Sequence, residues 1–260
     1  MNTARTFLLD LIFPRYCLGC SELINKLDES HVCPSCYAQI PFKTNFICAF
    51  CSSQVILGKT CPFCRKDNYL DRLIVASDYD YPLVEKMIKA VKYRYLRSLG
   101  SDIGKFMANF FEKKVSPNLP LEPGSIVITA VPLHRRRLND RGYNQSELAA
   151  REIGKHFNWP YQELLVRGRN NPPQAEIKDR QTRVDNMKGV FELASAGSAA
   201  PAALAAGAAD LSGKTIILVD DVSTTGSTLN DCARVLKSAG PDSVGAGAKE
   251  VIGFVFARNR

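Results

Sequence analysis

The sequence predicts an α/β fold preceded by a small metal-stapled region. Three observations predict it. From residue 73 onward, short apolar runs alternate with segments of helical period, the pattern of a sheet covered by helices. One of those runs ends in two adjacent acids and a hydroxyl-rich turn. Ahead of them all, eight of nine cysteines form four C-x-x-C pairs.

The 260 residues suffice for one large domain or for a small plus a medium one. The division read here is 1–70 for the cysteine-rich region and 71–260 for the α/β domain. Lys and Arg number 34 against 26 Asp and Glu, a formal charge of +8. That surplus permits contact with phosphates without demonstrating it. Residues 7–13 are apolar but interrupted by Asp10, short for a signal-peptide core, and no small-residue cleavage site follows. No strongly apolar run is long enough to span a bilayer, and the uncharged stretch 193–209 is too rich in Ala, Gly, Ser and Pro to count. The expectation is a cytoplasmic protein without a membrane span.

The pairs are Cys17/Cys20, Cys33/Cys36, Cys48/Cys51 and Cys61/Cys64. A C-x-x-C turn aims two thiolates at one point, and two such turns complete a tetrahedral S4 zinc shell. Gly19, Pro34 and Pro62 suit tight knuckles. Disulfides would require secretion, for which no signal exists, and a thioredoxin-like motif would show one pair in a βαβ context. Two structural zinc sites are therefore expected. The pairing chosen is sequential, first with second and third with fourth; a crossed arrangement is also open. A region of about 70 residues with few aliphatics needs such staples, because its own core is too small. Cys232 lies apart, on the apolar side of a later helix, and reads as a small core residue.

The α/β elements follow in order. Residues 73–77 read as a strand. A helix begins at Tyr81, with Val84, Met87, Ile88 and Val91 at helical spacing. Lys86, Lys89, Lys92, Arg94 and Arg97 crowd it and read as a solvated basic face, with phosphate or nucleic-acid contact as the functional option. Residues 101–114 form a second amphipathic helix. Residues 126–131 are a buried strand that runs into a basic loop, Pro132, Leu133, His134, Arg135, Arg136 and Arg137, then Arg141, Gly142, Tyr143, Asn144 and Gln145. A helix starts near Ser146. Residues 170–188 are polar and Pro-bearing and read as a mobile loop. A strand resumes over 190–193, residues 194–212 are a low-complexity insertion, and 240–249 are flexible. The last strand spans 251–257, with 258–260 as a short basic tail.

The remaining strand, 215–219, carries the acids. Ile216, Ile217, Leu218 and Val219 read as a strand buried on both faces. Asp220 and Asp221 stand at its end. Ser223, Thr224, Thr225, Gly226, Ser227 and Thr228 follow, then a helix with Leu229, Ala233 and Leu236 on one face. Backbone N–H groups of such a turn and of the helix N-terminus take a phosphate monoester, and the hydroxyls add donors. Two carboxylates beside a phosphate cradle suit a ribose, since they accept from vicinal hydroxyls. A Walker B strand is the rival reading. It needs a P-loop, but the glycine that Gly213-Lys214-Thr215 would require at position 208 is Ala208, and Lys214-Thr215 runs into a strand instead of opening a helix.

Residues 216–228 resemble the loop of type I phosphoribosyltransferases that binds 5-phosphoribosyl 1-pyrophosphate (PRPP). In that family the acid pair holds the ribose hydroxyls and the turn holds the 5-phosphate. The resemblance assigns PRPP to Asp220, Asp221, Ser223, Thr224, Thr225, Gly226, Ser227 and Thr228, with Mg²⁺, and a catalytic role to Asp220 and Asp221, which would stabilise a cationic sugar. It assigns the pyrophosphate to the loop of Pro132, Leu133, His134, Arg135 and Arg141. The whole order of motifs resembles the ComF family, in which a double zinc ribbon is fused to a phosphoribosyltransferase-like domain and which is associated with DNA uptake in natural competence. The fold implied is a mainly parallel sheet with helices on both faces and the ligand at the C-terminal strand ends. The zinc region would act as a hood over the site. The activity implied is a phosphoribosyltransferase of the glycosyltransferase class with an unknown acceptor. The alternative is a non-catalytic module that binds single-stranded DNA and retains the phosphate cradle. PRPP or a sugar phosphate, single-stranded DNA and other competence proteins are the partners implied.

Overall fold

The computed structural model of the chain describes residues 14–24, 30–122, 124–168, 189–194, 211–238 and 247–259. In chain order its elements are α1 (Pro34–Ala38), β1 (Arg72–Asp78), α2 (Pro82–Tyr93), α3 (Ser98–Phe110, continued by a π-helical turn), β2 (Ile126–Ala130), α4 (Arg135–Arg141), α5 (Gln145–Phe157), β3 (Leu165–Arg167), β4 (Phe191–Leu193), β5 (Thr215–Ser223), α6 (Ser227–Lys237) and β6 (Glu250–Arg258). The predicted stretches at 7–13 and 170–188, and most of those at 194–212 and 240–249, lie outside the described residues.

β1, β6, β5 and β2 lie side by side in that order, all parallel. The segment at Tyr161 adds a further parallel bridge to β2, with Gln162 N–H donating to the Ile128 carbonyl at 2.9 Å. Both faces of the sheet are covered, as a continuous apolar run such as 216–219 demands. Ile217 and Val219 share one apolar cluster with α2, α3 and α5, whereas Ile216 and Leu218 share another with α6. Cys232 is fully buried in the second cluster, as its place on the apolar side of the helix predicts. α3 and α5 approach closely because α3 carries glycines at the contact. A Cβ on Gly104 would lie 2.8 Å from the Ala149 carbonyl oxygen.

Four elements differ from the sequence reading. β5 continues past Val219 to Ser223, because β6 stays in register with it as far as the Ser223–Arg258 pair. Arg258 consequently belongs to β6 and is buried, instead of sitting in a basic tail. Residues 135–141 form a short helix in place of a loop. β3 was not predicted; three residues are too few to show a period, and its order comes from antiparallel pairing with β4.

The cysteine-rich region is packed against the sheet and its helices. Cys17, Ile24, Val32, Ile40 and Leu57 belong to the same apolar cluster as α2 and α3. At its junction with β1 the backbone is buried. Asp71 is 5% exposed, accepts from Val251 N–H at 2.8 Å, and is paired with Lys237 at 2.6 Å and Arg65 at 3.2 Å. Among the described residues no helix is long and apolar enough to cross a membrane.

Candidate functional site

The acid pair lies at the C-terminal end of the sheet and is held from three sides. Asp221 is buried; its Oδ2 accepts from Lys92 Nζ at 3.0 Å and from Gln145 Nε2 at 3.2 Å. Gln145 Oε1 in turn accepts from the Arg141 guanidinium. Asp220 Oδ1 accepts from Ser146 Oγ and from Asp221 N–H, both at 2.9 Å. Burial, and then the Asp221 charge, push the Asp220 carboxyl up to about 7. Burial opposes the charge on Lys92, but the Asp221 carboxylate outweighs it and raises the pKa of the ammonium. Asn144 sets the start of α5: its Oδ1 accepts from Ser146 N–H at 3.1 Å while its amide donates to the Val131 carbonyl at the end of β2.

Two hydroxyls at the start of the turn after the acids lack acceptors. Ser223 Oγ and Thr224 Oγ1 are buried and have no hydrogen-bond partner among the described residues. Each such orphan costs about 1–3 kcal/mol, so a site that retains two of them at consecutive residues fits a ligand rich in acceptors. Among the described residues the amides of Thr224, Thr225 and Gly226 make no backbone–backbone bond. Gly226 has φ 79°, a left-handed conformation that favours glycine, and it precedes α6 without a side-chain cap. The first turn of α6 holds no acid, so the positive end of its dipole favours an anion, and the Ser227 amide lies 3.4 Å from Thr225 Oγ1. Thr225 Oγ1 and Ser227 Oγ share a bond of 2.9 Å. The Cys48/Cys51 knuckle stands over this turn: a Cβ on Gly226 would lie 3.5 Å from Ala49 Cβ and 3.6 Å from the Phe50 ring.

The basic segment sits beside the acids. Val131 N–H donates to the Val219 carbonyl at 2.9 Å, which places Pro132 and Leu133 next to the end of β5. His134 is the N-cap of α4; its Nδ1 accepts from Arg136 N–H at 3.2 Å. Arg135 and Arg136 are exposed, while Arg137 is half-buried. Burial, followed by the nearby Arg137 charge, lowers the pKa of Arg167 on β3, and Asp220 opposes the shift. Arg167 is thus within electrostatic reach of both Arg137 and Asp220. Arg141 contributes by holding Gln145.

Sequence reasoning missed Lys92, Ser146 and Arg167 as site residues, and named Gln145 only within a motif. For Lys92 a signal existed. It stands four residues after Ile88, on the stripe that carries the core side chains of α2, so a solvated lysine was the wrong expectation there. Arg167 offered none, since β3 is too short to orient it.

The cysteines assemble as the sequential pairing predicts. Cys17, Cys20, Cys33 and Cys36 form one cluster and Cys48, Cys51, Cys61 and Cys64 the other, each with its sulfurs within 4.8 Å of one another. A tetrahedron with Zn–S bonds of about 2.3 Å has sulfur–sulfur edges of about 3.8 Å. The Cys20–Cys33 and Cys51–Cys61 separations are 3.8 and 3.6 Å, far longer than a disulfide. Gly19 and Cys33 N–H groups both lie 3.3 Å from Cys17 Sγ, the amide bonds a metal thiolate requires around it. Both donor sets fit zinc.

Comparison with known proteins agrees with this geometry. A double zinc ribbon domain model matches residues 8–65, and a phosphoribosyl transferase domain model matches residues 145–248. The molecule is thus a double zinc ribbon joined to a phosphoribosyltransferase-like domain. The chain is 25% identical to Competence protein F of Haemophilus influenzae over 231 residues, covering 88% of this chain and 93% of that protein. It is 28% identical to DNA utilization protein YhgH of Escherichia coli over 217 residues (76% and 87%), and 26% identical to Competence protein ComFC of Bacillus subtilis over 220 residues (83% and 81%). The chain is thus similar over most of its length to proteins named for competence and DNA utilization.

Proposed function

We propose that the site binds PRPP and works as a phosphoribosyltransferase whose acceptor is an unidentified nitrogen nucleophile. One observation carries the reading: the hydroxyls of Ser223 and Thr224, buried and without hydrogen-bond partners among the described residues, stand in the chain between the acid pair and the start of α6. The 5-phosphate would take the donors of residues 223–228. Asp220 and Asp221 would accept from the ribose hydroxyls, Asp221 held in place by Lys92 and Gln145. The diphosphate would lie toward Pro132, Leu133 and the arginines of α4, with Arg137 and Arg167 as cations for its charge. Mg²⁺ bound with PRPP would neutralise part of that charge. As the C1–oxygen bond breaks, pyrophosphate leaves with the electron pair, the acids stabilise the cationic ring, and the nucleophile forms the new bond at C1. The ribbon region, residues 1–70, would serve as hood to the domain 71–260, a role supported by the packing of Ala49 and Phe50 on Gly226.

Calorimetric titration with PRPP and Mg²⁺ tests this, with Asp220→Asn and Asp221→Asn as controls. Saturable binding that the double variant abolishes is the expected result, and absence of binding by the wild type refutes it. The reading of a DNA-binding module draws support from exposed Arg135 and Arg136 at the rim and from the names of the relatives. It predicts tight oligonucleotide binding that weakens steeply with salt and is indifferent to the acid substitutions.

A further inference from the structure

Arg258 is the last residue of β6 and only 9% exposed. Its guanidinium joins two segments far apart in sequence. Nε donates to the Thr224 carbonyl in the turn at 3.3 Å. Nη2 donates to the Ala49 carbonyl at 2.5 Å, and Nη1 to the Cys48 carbonyl at 3.5 Å. Cys48 and Ala49 open the first knuckle of the second cysteine cluster. A second contact joins the same two segments independently, namely Gly226 against Ala49 and Phe50. The backbone fixes the donor in turn: Arg258 is in register with Ser223, and Asn259 N–H donates to the Ser223 carbonyl at 3.0 Å.

We propose that Arg258 is a positioning residue that clasps the Cys48/Cys51 knuckle to the phosphate turn, so that metal in the Cys48, Cys51, Cys61 and Cys64 cluster sets the turn's shape and its affinity for a phosphate monoester. A planar fork holds three carbonyls only while those carbonyls stay in place. The metal fixes the knuckle and hence the Cys48 and Ala49 carbonyls. Without it the buried guanidinium loses acceptors it needs, and the Thr224 peptide loses its tether. Linkage makes the effect mutual: a phosphate ligand that orders the turn must tighten metal in the second cluster. The first cluster contacts α2 and α3 instead, through Leu18 with Lys86 and Ser30 with Asp102. The ligand half of this inference rests on the turn being a phosphate cradle; the clasp does not.

Hydrogen exchange at the Asn230 amide, which bonds to the Gly226 carbonyl at 2.9 Å, reads the clasp without any ligand. In the full chain loaded with zinc, Arg258→Gln should keep two zinc ions and accelerate Asn230 exchange about tenfold, leaving Ile217 unchanged. Cys61→Ser should lose one zinc and accelerate the same amide. Adding Arg258→Gln to Cys61→Ser should add nothing further, because both cut one connection. Arg258→Lys, which keeps the charge, should fall between wild type and Arg258→Gln and carries the test if the glutamine variant does not fold. Unchanged Asn230 exchange in a two-zinc Arg258 variant, or additive effects, overturns the clasp. In a second arm, PRPP should slow chelator-driven release of one of the two zinc ions in wild type and not in Arg258→Gln; equal protection in both overturns the coupling. If wild type binds no PRPP, the proposed function fails and the exchange arm still decides the clasp.

Discussion

The two cysteine clusters have the same four donors but different neighbours. The first is tied to helices. Lys86 Nζ donates to the Leu18 carbonyl at 3.3 Å, Ser30 Oγ to Asp102 at 2.8 Å and Tyr37 hydroxyl to the Asp102 carbonyl at 3.1 Å. The second lies against β1 and the turn that follows β5, with Arg258 bridging the Cys48/Cys51 knuckle to that turn. Donor chemistry selects the metal in both. What the metal then stabilises is set by the carbonyls and side chains around each knuckle, which differ. An equivalent pair of ligand sets is thereby split into a structural anchor and a support for the candidate site.

Removing both metals should have the largest effect. Structural zinc contributes on the order of 10 kcal/mol to folding of small ribbons, so exhaustive chelation should lower the Tm by more than about 10 °C and release two zinc ions per chain. A metal-free chain with an unchanged Tm and thermal profile would end the structural role of both clusters. Next come single clusters. Cys61→Ser should weaken PRPP binding about tenfold or more in calorimetry, whereas Cys20→Ser should lower the Tm and leave the affinity of the folded fraction within about threefold. Equal losses from both variants would erase the contrast between the two clusters.

A smaller effect is expected at Lys92. Removing one partner of a buried ion pair strands the other, and with the Lys92 side chain 24% exposed the cost should be about 1–3 kcal/mol in urea denaturation of Lys92→Met. The double variant with Asp221→Asn should recover most of it. No recovery would mean that Lys92 matters through packing alone.

The smallest effect is in pH. Asp220 is raised to about 7 from an ordinary value near 3.8, with Asp221, Lys92 and Arg167 as its charged neighbours. Between those two values the folded state holds a proton that the unfolded chain has released. This group therefore makes the fold more stable as pH falls from 8 to 6, and its contribution is lost again as pH rises through 7. Its ability to accept from a ribose hydroxyl changes in the opposite sense. PRPP affinity should fall and Tm should rise over that interval. Asp220→Asn serves as the reference, since the phosphate of the ligand titrates nearby. The variant should bind weakly, show less of the Tm trend, and sit a few degrees higher at pH 8. A wild-type affinity that is flat with pH relative to the variant would contradict this.

Much of the molecule was legible in the sequence. Four C-x-x-C pairs declared two S4 clusters, because the spacing alone brings thiolates together. Ile216 to Val219 declared a doubly covered strand, because only burial on both faces tolerates four consecutive aliphatics. The acid pair and hydroxyl turn marked the candidate site. The helix at 135–141 was hidden behind its charge, since three consecutive arginines carry no apolar period, and its start is set by the His134 cap. Arg258 was hidden for another reason. A basic residue after a strand reads as solvated until its acceptors, forty-eight and forty-nine in the chain, are folded against it.

Local chemistry was therefore decided by the sequence itself: which cysteines form C-x-x-C turns, which run is a strand, which turn is rich in hydroxyl donors. Those properties depend on neighbours a few residues apart, within reach of backbone geometry. The partners of Asp221, the empty hydroxyls at Ser223 and Thr224, and the bridge from the Cys48/Cys51 knuckle to the turn were decided only by the tertiary structure. Each joins groups brought together by the sheet, and the energy of a buried hydrogen bond or ion pair depends on distances that no spacing along the chain encodes.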